Sequence, residues 1–147
     1  MDKKFSLNYA AKIRKDGDGF LLTFRDIENA FTWASSYEEA LLQGQEVLDL
    51  MLLDRLEKEE NIPDPSMVKR GEIEISASPD VVAPILLHKV RIAKRKSMAE
   101  VARKMGVTYQ RYQRVESGKN LTLKSFKKAA AAMGTTVEII LHTASGL

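Results

Sequence analysis

The residue types able to do chemistry are few. The chain has 147 residues, no cysteine and only two histidines, His88 and His142. Disulfides, thiolate zinc sites and cysteine nucleophiles are thereby excluded, and a histidine-rich metal site with them. Carboxylates remain. Asp16, Asp18, Asp26 and Glu28 could hold magnesium for phosphodiester cleavage, but that reaction needs acids converging from several strands and a helix. These four fall in two turns, and no nucleophile–base pair accompanies them. The expectation is a protein that is not an enzyme and carries no metal or cofactor. A second group suits nucleic acid. Tyr109, Gln110, Arg111, Gln113 and Arg114 crowd one short stretch in which Glu116 is the only acid between Arg103 and Val137. Glutamine can pair in a bidentate manner with adenine and arginine with guanine, each worth about 1–3 kcal/mol of discrimination. Tyr109 could meet a thymine methyl or a phosphate.

Those side chains need a rigid mount, and residues 97–118 provide one. Ser97 followed by Glu100 is a capping box. Val101, Ala102 and Met105 form an inner face, Gly106 permits a left-handed turn, and Val107 plugs between two helices. Thr108 caps the second helix, whose inner positions are Tyr112 and Val115. Alanine at 102 allows two steeply crossing helices to approach closely. This is a helix-turn-helix, and its second helix would enter the major groove. Lys119 and Asn120 after that helix, and free amides at Ser97 before the first, would hold the phosphate backbone.

The first half reads differently. Phe5, Leu7, Tyr9, Ala11 and Ile13 alternate with polar residues and predict a strand. Asp16-Gly17-Asp18-Gly19 predicts a hairpin turn, Phe20 to Phe24 the returning strand, and Ala30 to Ala34 a third. Trp33 is read as core. Ser36 and Glu39 suggest another capping box, opening a helix whose inner stripe is Ala40, Leu41, Gly44, Val47, Leu48, Met51, Leu52 and Leu56. Pro63 and Pro65 forbid its continuation, and Ile73 and Ile75 predict a fourth strand. Ser78-Pro79 then starts a helix, although Pro84 one turn later blurs that start. The fold class is α+β: a small antiparallel sheet with one packed helix, followed by an all-α helix-turn-helix domain ending in a short strand.

Charge divides the chain in the same place. Residues 1–78 hold 10 basic and 16 acidic residues, net −6; residues 79–147 hold 13 and 4, net +9. Two domains, 1–78 and 79–147, with partners of opposite charge are expected. The basic one suits double-stranded DNA and the acidic one a cationic partner. No run approaches the roughly 20 apolar residues of a membrane span, and the opening residues alternate instead of forming a signal-peptide core. A cytoplasmic protein without membrane partners is expected. Val137, Ile139, Ile140 and Leu141 are apolar on both faces of the last strand, which predicts a homodimer, or a higher even oligomer, joined there.

Two family resemblances follow from these residues. Val101-Ala102, Gly106-Val107-Thr108, Arg114-Val115-Glu116-Ser117-Gly118 and the closing stretch Leu121 to Gly134 resemble the lambda-repressor-like (Cro/C1, XRE) helix-turn-helix family over roughly residues 80–134. The resemblance implies that Glu116 is an intramolecular anchor rather than a base reader. Upstream, Gly19-Phe20, Phe24, Asp26-Ile27, Ala30, Thr32 and Glu38-Glu39-Ala40 resemble the HicB antitoxin family, which also joins such a domain to a C-terminal repressor. Arg25 stands where that family has proline, and Glu28-Asn29 where it has Pro-Gly, so a less rigid loop is expected. The resemblance implies a partial ribonuclease-H-like fold that binds a small basic mRNA-cleaving toxin of the HicA type and represses the shared promoter. Asp16, Asp18, Asp26 and Glu28 are candidate toxin contacts. The rival reading is a repressor whose first domain senses a small molecule.

Overall fold

The computed structural model describes residues 3–143 and divides into two compact units, one ending at Leu86 and one beginning at Leu87. Among these residues no helix is long and apolar enough to cross a membrane.

The first unit contains β1 (Asn8–Asp16), β2 (Gly19–Phe24), β3 (Phe31–Ala34), α1 (Tyr37–Glu57) and β4 (Ile73–Ser76). The sheet is antiparallel with order β3-β2-β1-β4. Strand alternation sends Tyr9, Ala11, Leu22, Phe24 and Ile75 to one face. There they pack with Leu48 and Leu52 of α1. The predicted stripe on α1 lies inward: Ala40, Gly44, Leu48 and Leu52 are buried, and Leu41, Val47, Met51 and Leu56 are partly so. Gly44 sits where the helix crosses β2, and a Cβ there would come within 2.7 Å of the Leu22 side chain. The capping box is only half as expected. Ser36 Oγ accepts the Glu39 amide, but the Glu39 carboxylate receives the amide and hydroxyl of Ser35 instead of closing on Ser36.

The loop between β2 and β3 is held by means other than proline and glycine. Asn29 takes up the left-handed conformation, φ 63°, that glycine would otherwise supply. Arg25 replaces proline stiffness with hydrogen bonds: Nε and Nη2 donate to Glu72 at 2.9 Å, Nη2 also to the Met67 carbonyl, and Nη1 to the Ser66 hydroxyl. Asp26 accepts the Ser66 amide at 2.8 Å. The loop is therefore tied to the segment before β4.

Helix α2 (Pro79–Ala93) runs through the unit division, with Pro84 buried inside it. Val81 and Ile85 belong to the first core, which is why that unit extends past the composition change at Ser76–Pro79. The Ser78 hydroxyl and amide donate to Asp49 of α1. The second unit continues with α3 (Met98–Met105), α4 (Tyr109–Glu116) and α5 (Leu123–Ala132). Its buried residues include Leu87, Val90, Val101, Ala102, Tyr112, Val115, Ala129, Ala130 and Met133. The expected final strand is absent: Thr135 to Thr143 form no regular element. A strand needs a neighbour for its amides and carbonyls, and this segment pairs with none of the described strands. Its apolar side chains stay exposed, Ile139 at 67% and Leu141 at 93%.

Candidate nucleic-acid interface and partner surface

The helix-turn-helix is built by local rules. Ser97 accepts the Glu100 amide at 3.1 Å while Glu100 accepts the Ser97 amide at 3.1 Å, so α3 opens on a complete capping box. That bond occupies the Ser97 amide, one of the groups expected to be free for phosphate. Gly106 ends α3 at φ 72°, and the Val107 amide reaches back to Ala102. This left-handed turn is easy for glycine and strained for a β-branched residue. Thr108 caps α4 by accepting the Arg111 amide.

On α4, Tyr112, Val115 and Glu116 point inward, while Tyr109, Gln110, Arg111, Gln113 and Arg114 are exposed. At 100° per residue the five exposed side chains occupy a continuous arc of about 200°. The helix closes on Gly118, with the Gly118 amide bonded to Val115 and the Lys119 amide to Arg114. Lys119 and Asn120, both exposed, follow that turn.

The orientation of α4 is fixed from beneath by a cluster that the sequence reading only half anticipated. Glu116 is 3% exposed and accepts from Arg91 Nε at 2.8 Å, Arg91 Nη2 at 2.8 Å and His88 Nδ1 at 2.9 Å. Its role as an anchor was legible in the family motif; its partners on α2 were not. Burial pushes the Glu116 carboxyl up, but hydrogen bonds from His88 and Arg91 outweigh that and hold it down at about 2. The Tyr112 hydroxyl is buried without a well-formed hydrogen bond and lies close enough to add to this lowering. Arg91 also donates to the Lys96 carbonyl at 3.0 Å, joining α2 to the lead-in of α3.

In the first unit the four candidate carboxylates do not converge. Asp16 and Asp18 lie at the β1–β2 turn, and Asp26 and Glu28 in the β2–β3 loop. The six-residue β2 separates the pairs by roughly 17 Å at about 3.3 Å per residue. Among the described residues no three acidic, histidine or cysteine side chains are grouped to hold a metal ion. Asp26 is committed to Ser66 and Arg25. Glu72 is held at about 2 by the Arg25 hydrogen bond, helped by the Lys69 amide. Asp16, Asp18 and Glu28 are exposed.

Trp33 is not core: it is 49% exposed, and Phe31 on the same strand is 60% exposed. Strand β3 is an edge, and alternation turns these two side chains away from α1. The indole lies over Gly19, where no side chain would fit, and donates to the Asp16 carbonyl at 3.2 Å. Exposure depended on strand order, which the run Ala30–Ala34 does not encode.

Comparison with known proteins matches these two units. Residues 8–83 fit the family described as HicB_like antitoxin of bacterial toxin-antitoxin system. The chain is also 31% identical over 136 residues to Antitoxin HicB 2 of Photorhabdus laumondii subsp. laumondii, covering 92% of this chain and 96% of that protein. The chain belongs to the HicB-like antitoxin family. Residues 87–140 fit a helix-turn-helix family, so this antitoxin carries a helix-turn-helix DNA-binding domain. Such a pairing marks a regulator built on recognition of macromolecules.

Proposed function

We propose that this antitoxin neutralises a small basic mRNA-cleaving toxin of the HicA type through its acidic first unit and represses its own operon through the second, in the cytoplasm. The observation that carries the repressor half is the exposed arc Tyr109, Gln110, Arg111, Gln113 and Arg114 on a helix locked by the buried Glu116 anchor. A helix held in one orientation can present bidentate donors to base edges, and Lys119 and Asn120 then serve the phosphates. The net charge of +9 after residue 78 suits that task, and the −6 before it suits a cationic toxin.

The protein acts as a dimer, because two half-sites one helical turn apart multiply affinity. Val137, Ile139, Ile140 and Leu141 supply the contact: exposed and unpaired in one chain, they can complete a strand pair in two. Ile140→Lys then yields monomers by light scattering and weak operator binding; a dimeric variant contradicts this assignment.

The test is a pair of assays on one preparation. Purified full-length protein should stop mRNA cleavage by a HicA-type toxin of its host, and should footprint the DNA upstream of its own gene. Unchecked cleavage removes the antitoxin half of the proposal, and an unprotected promoter removes the repressor half.

A further inference from the structure

The paired strands place four residues in a cross-strand block on the sheet face away from α1. Leu21 lies opposite Trp33, and Thr23 opposite Phe31. Trp33 and Phe31 are among the most exposed large apolar residues of the sheet, and the Trp33 indole is already oriented by its bond to Asp16. A preset tryptophan loses little conformational freedom on binding, which is why such residues dominate interface energetics. Acids bracket this block at both ends. Asp16 and Asp18 sit in the turn beside Trp33, and Glu28 in the loop before Phe31. None of the three carboxylates has an ion-pair partner among the described residues.

We propose that the outward face of β3, with Phe31 and Trp33 at its centre and Asp16, Asp18 and Glu28 at its ends, is the docking surface for the cationic toxin. This rests on the antitoxin reading above. An apolar centre with a charged rim is the usual anatomy of a protein interface, and the three acids at the ends of β3 suit a basic partner. The four-residue edge is too short to template a long added strand, so the side chains carry the contact. A nucleic acid is the weaker occupant. Aromatic residues on a sheet can stack bases, but platforms of that kind sit in a positive groove. Lys12 and Arg14 share this face one strand further in, opposite Thr23 and Leu21, while the residues at the two ends of β3, Asp16, Asp18 and Glu28, are acidic.

The experiment uses the full chain and a purified, catalytically inactivated HicA-type toxin from the same host, followed by calorimetry and hydrogen exchange. Trp33→Ala and Phe31→Ala should each weaken binding on the order of tenfold or more. Asp18→Lys with Glu28→Lys should slow association most at low salt. Leu42→Ala, on the exposed side of α1 at 68% exposure, should bind as wild type. Toxin should protect amides of residues 28–35 in the unmutated protein, a readout independent of variant folding. If wild type binds toxin but protection falls elsewhere and the β3 variants bind normally, the surface is wrong while the antitoxin reading stands. If wild type binds no toxin, both fall. Tighter binding of a single-stranded RNA oligonucleotide than of toxin, lost in Trp33→Ala, overturns the protein occupant.

Discussion

Each unit uses one arginine to tie together segments distant in sequence, and the two ties differ in depth. In the first unit Arg25 grips Glu72, Ser66 and the Met67 carbonyl, 41 to 47 residues away, at a partly exposed site. In the second, Arg91 grips Glu116, 25 residues away, with side-chain exposures of only 10% and 3%. Water screens the first pair and competes for its hydrogen bonds, so that tie chiefly restricts a loop. The second lies out of water, where losing one partner strands a charge. A DNA reader needs its helix fixed to within a fraction of an ångström. A loop beside a docking surface only needs its range of motion reduced.

Breaking the buried tie should have the largest effect. Glu116→Ala should cost about 3–5 kcal/mol by leaving Arg91 buried and unpaired, read as early melting of the second unit and loss of operator binding. Acid should reproduce part of this. The Glu116 carboxyl falls from an ordinary 4.5 to about 2 on folding. Its stabilisation, about 3 kcal/mol at 1.36 per pH unit, is complete above pH 4.5 and lost as pH falls towards 2. Denaturant midpoints of the second unit should drop across that window in wild type and drop less steeply in Glu116→Gln. Arg114→Ala should next remove about 1–3 kcal/mol of discrimination at one base pair without changing the melting temperature, measured by binding to operator variants. Tyr112→Phe deletes a buried hydroxyl that has no good partner, so its unfolding free energy should stay within about 1 kcal/mol of wild type. The exposed tie gives the smallest change. Arg25→Ala should leave the melting temperature nearly unaltered and only speed trypsin cleavage after Lys69 and Arg70.

What the sequence disclosed follows the same division between near and far. Caps at Ser36, Ser97 and Thr108, the turn at Gly106 and the inner stripe of α1 are set within a few residues, and each is found in the structure. The Arg25 and Arg91 ties join residues that no local pattern connects. Trp33 was misread because an apolar tryptophan in a short strand signals burial until the strand proves to be an edge. The last strand is not formed because pairing is a property of two segments, and Thr135 to Thr143 pair with no described strand.

The central claim is that toxin and DNA are handled by separate units of one antitoxin. Its most direct test is the full-length double variant Arg111→Ala/Arg114→Ala, assayed on one preparation for promoter footprint and for inhibition of toxin cleavage. The footprint should disappear while toxin inhibition is retained at wild-type strength. Loss of both, with the protein still folded by circular dichroism, would contradict it.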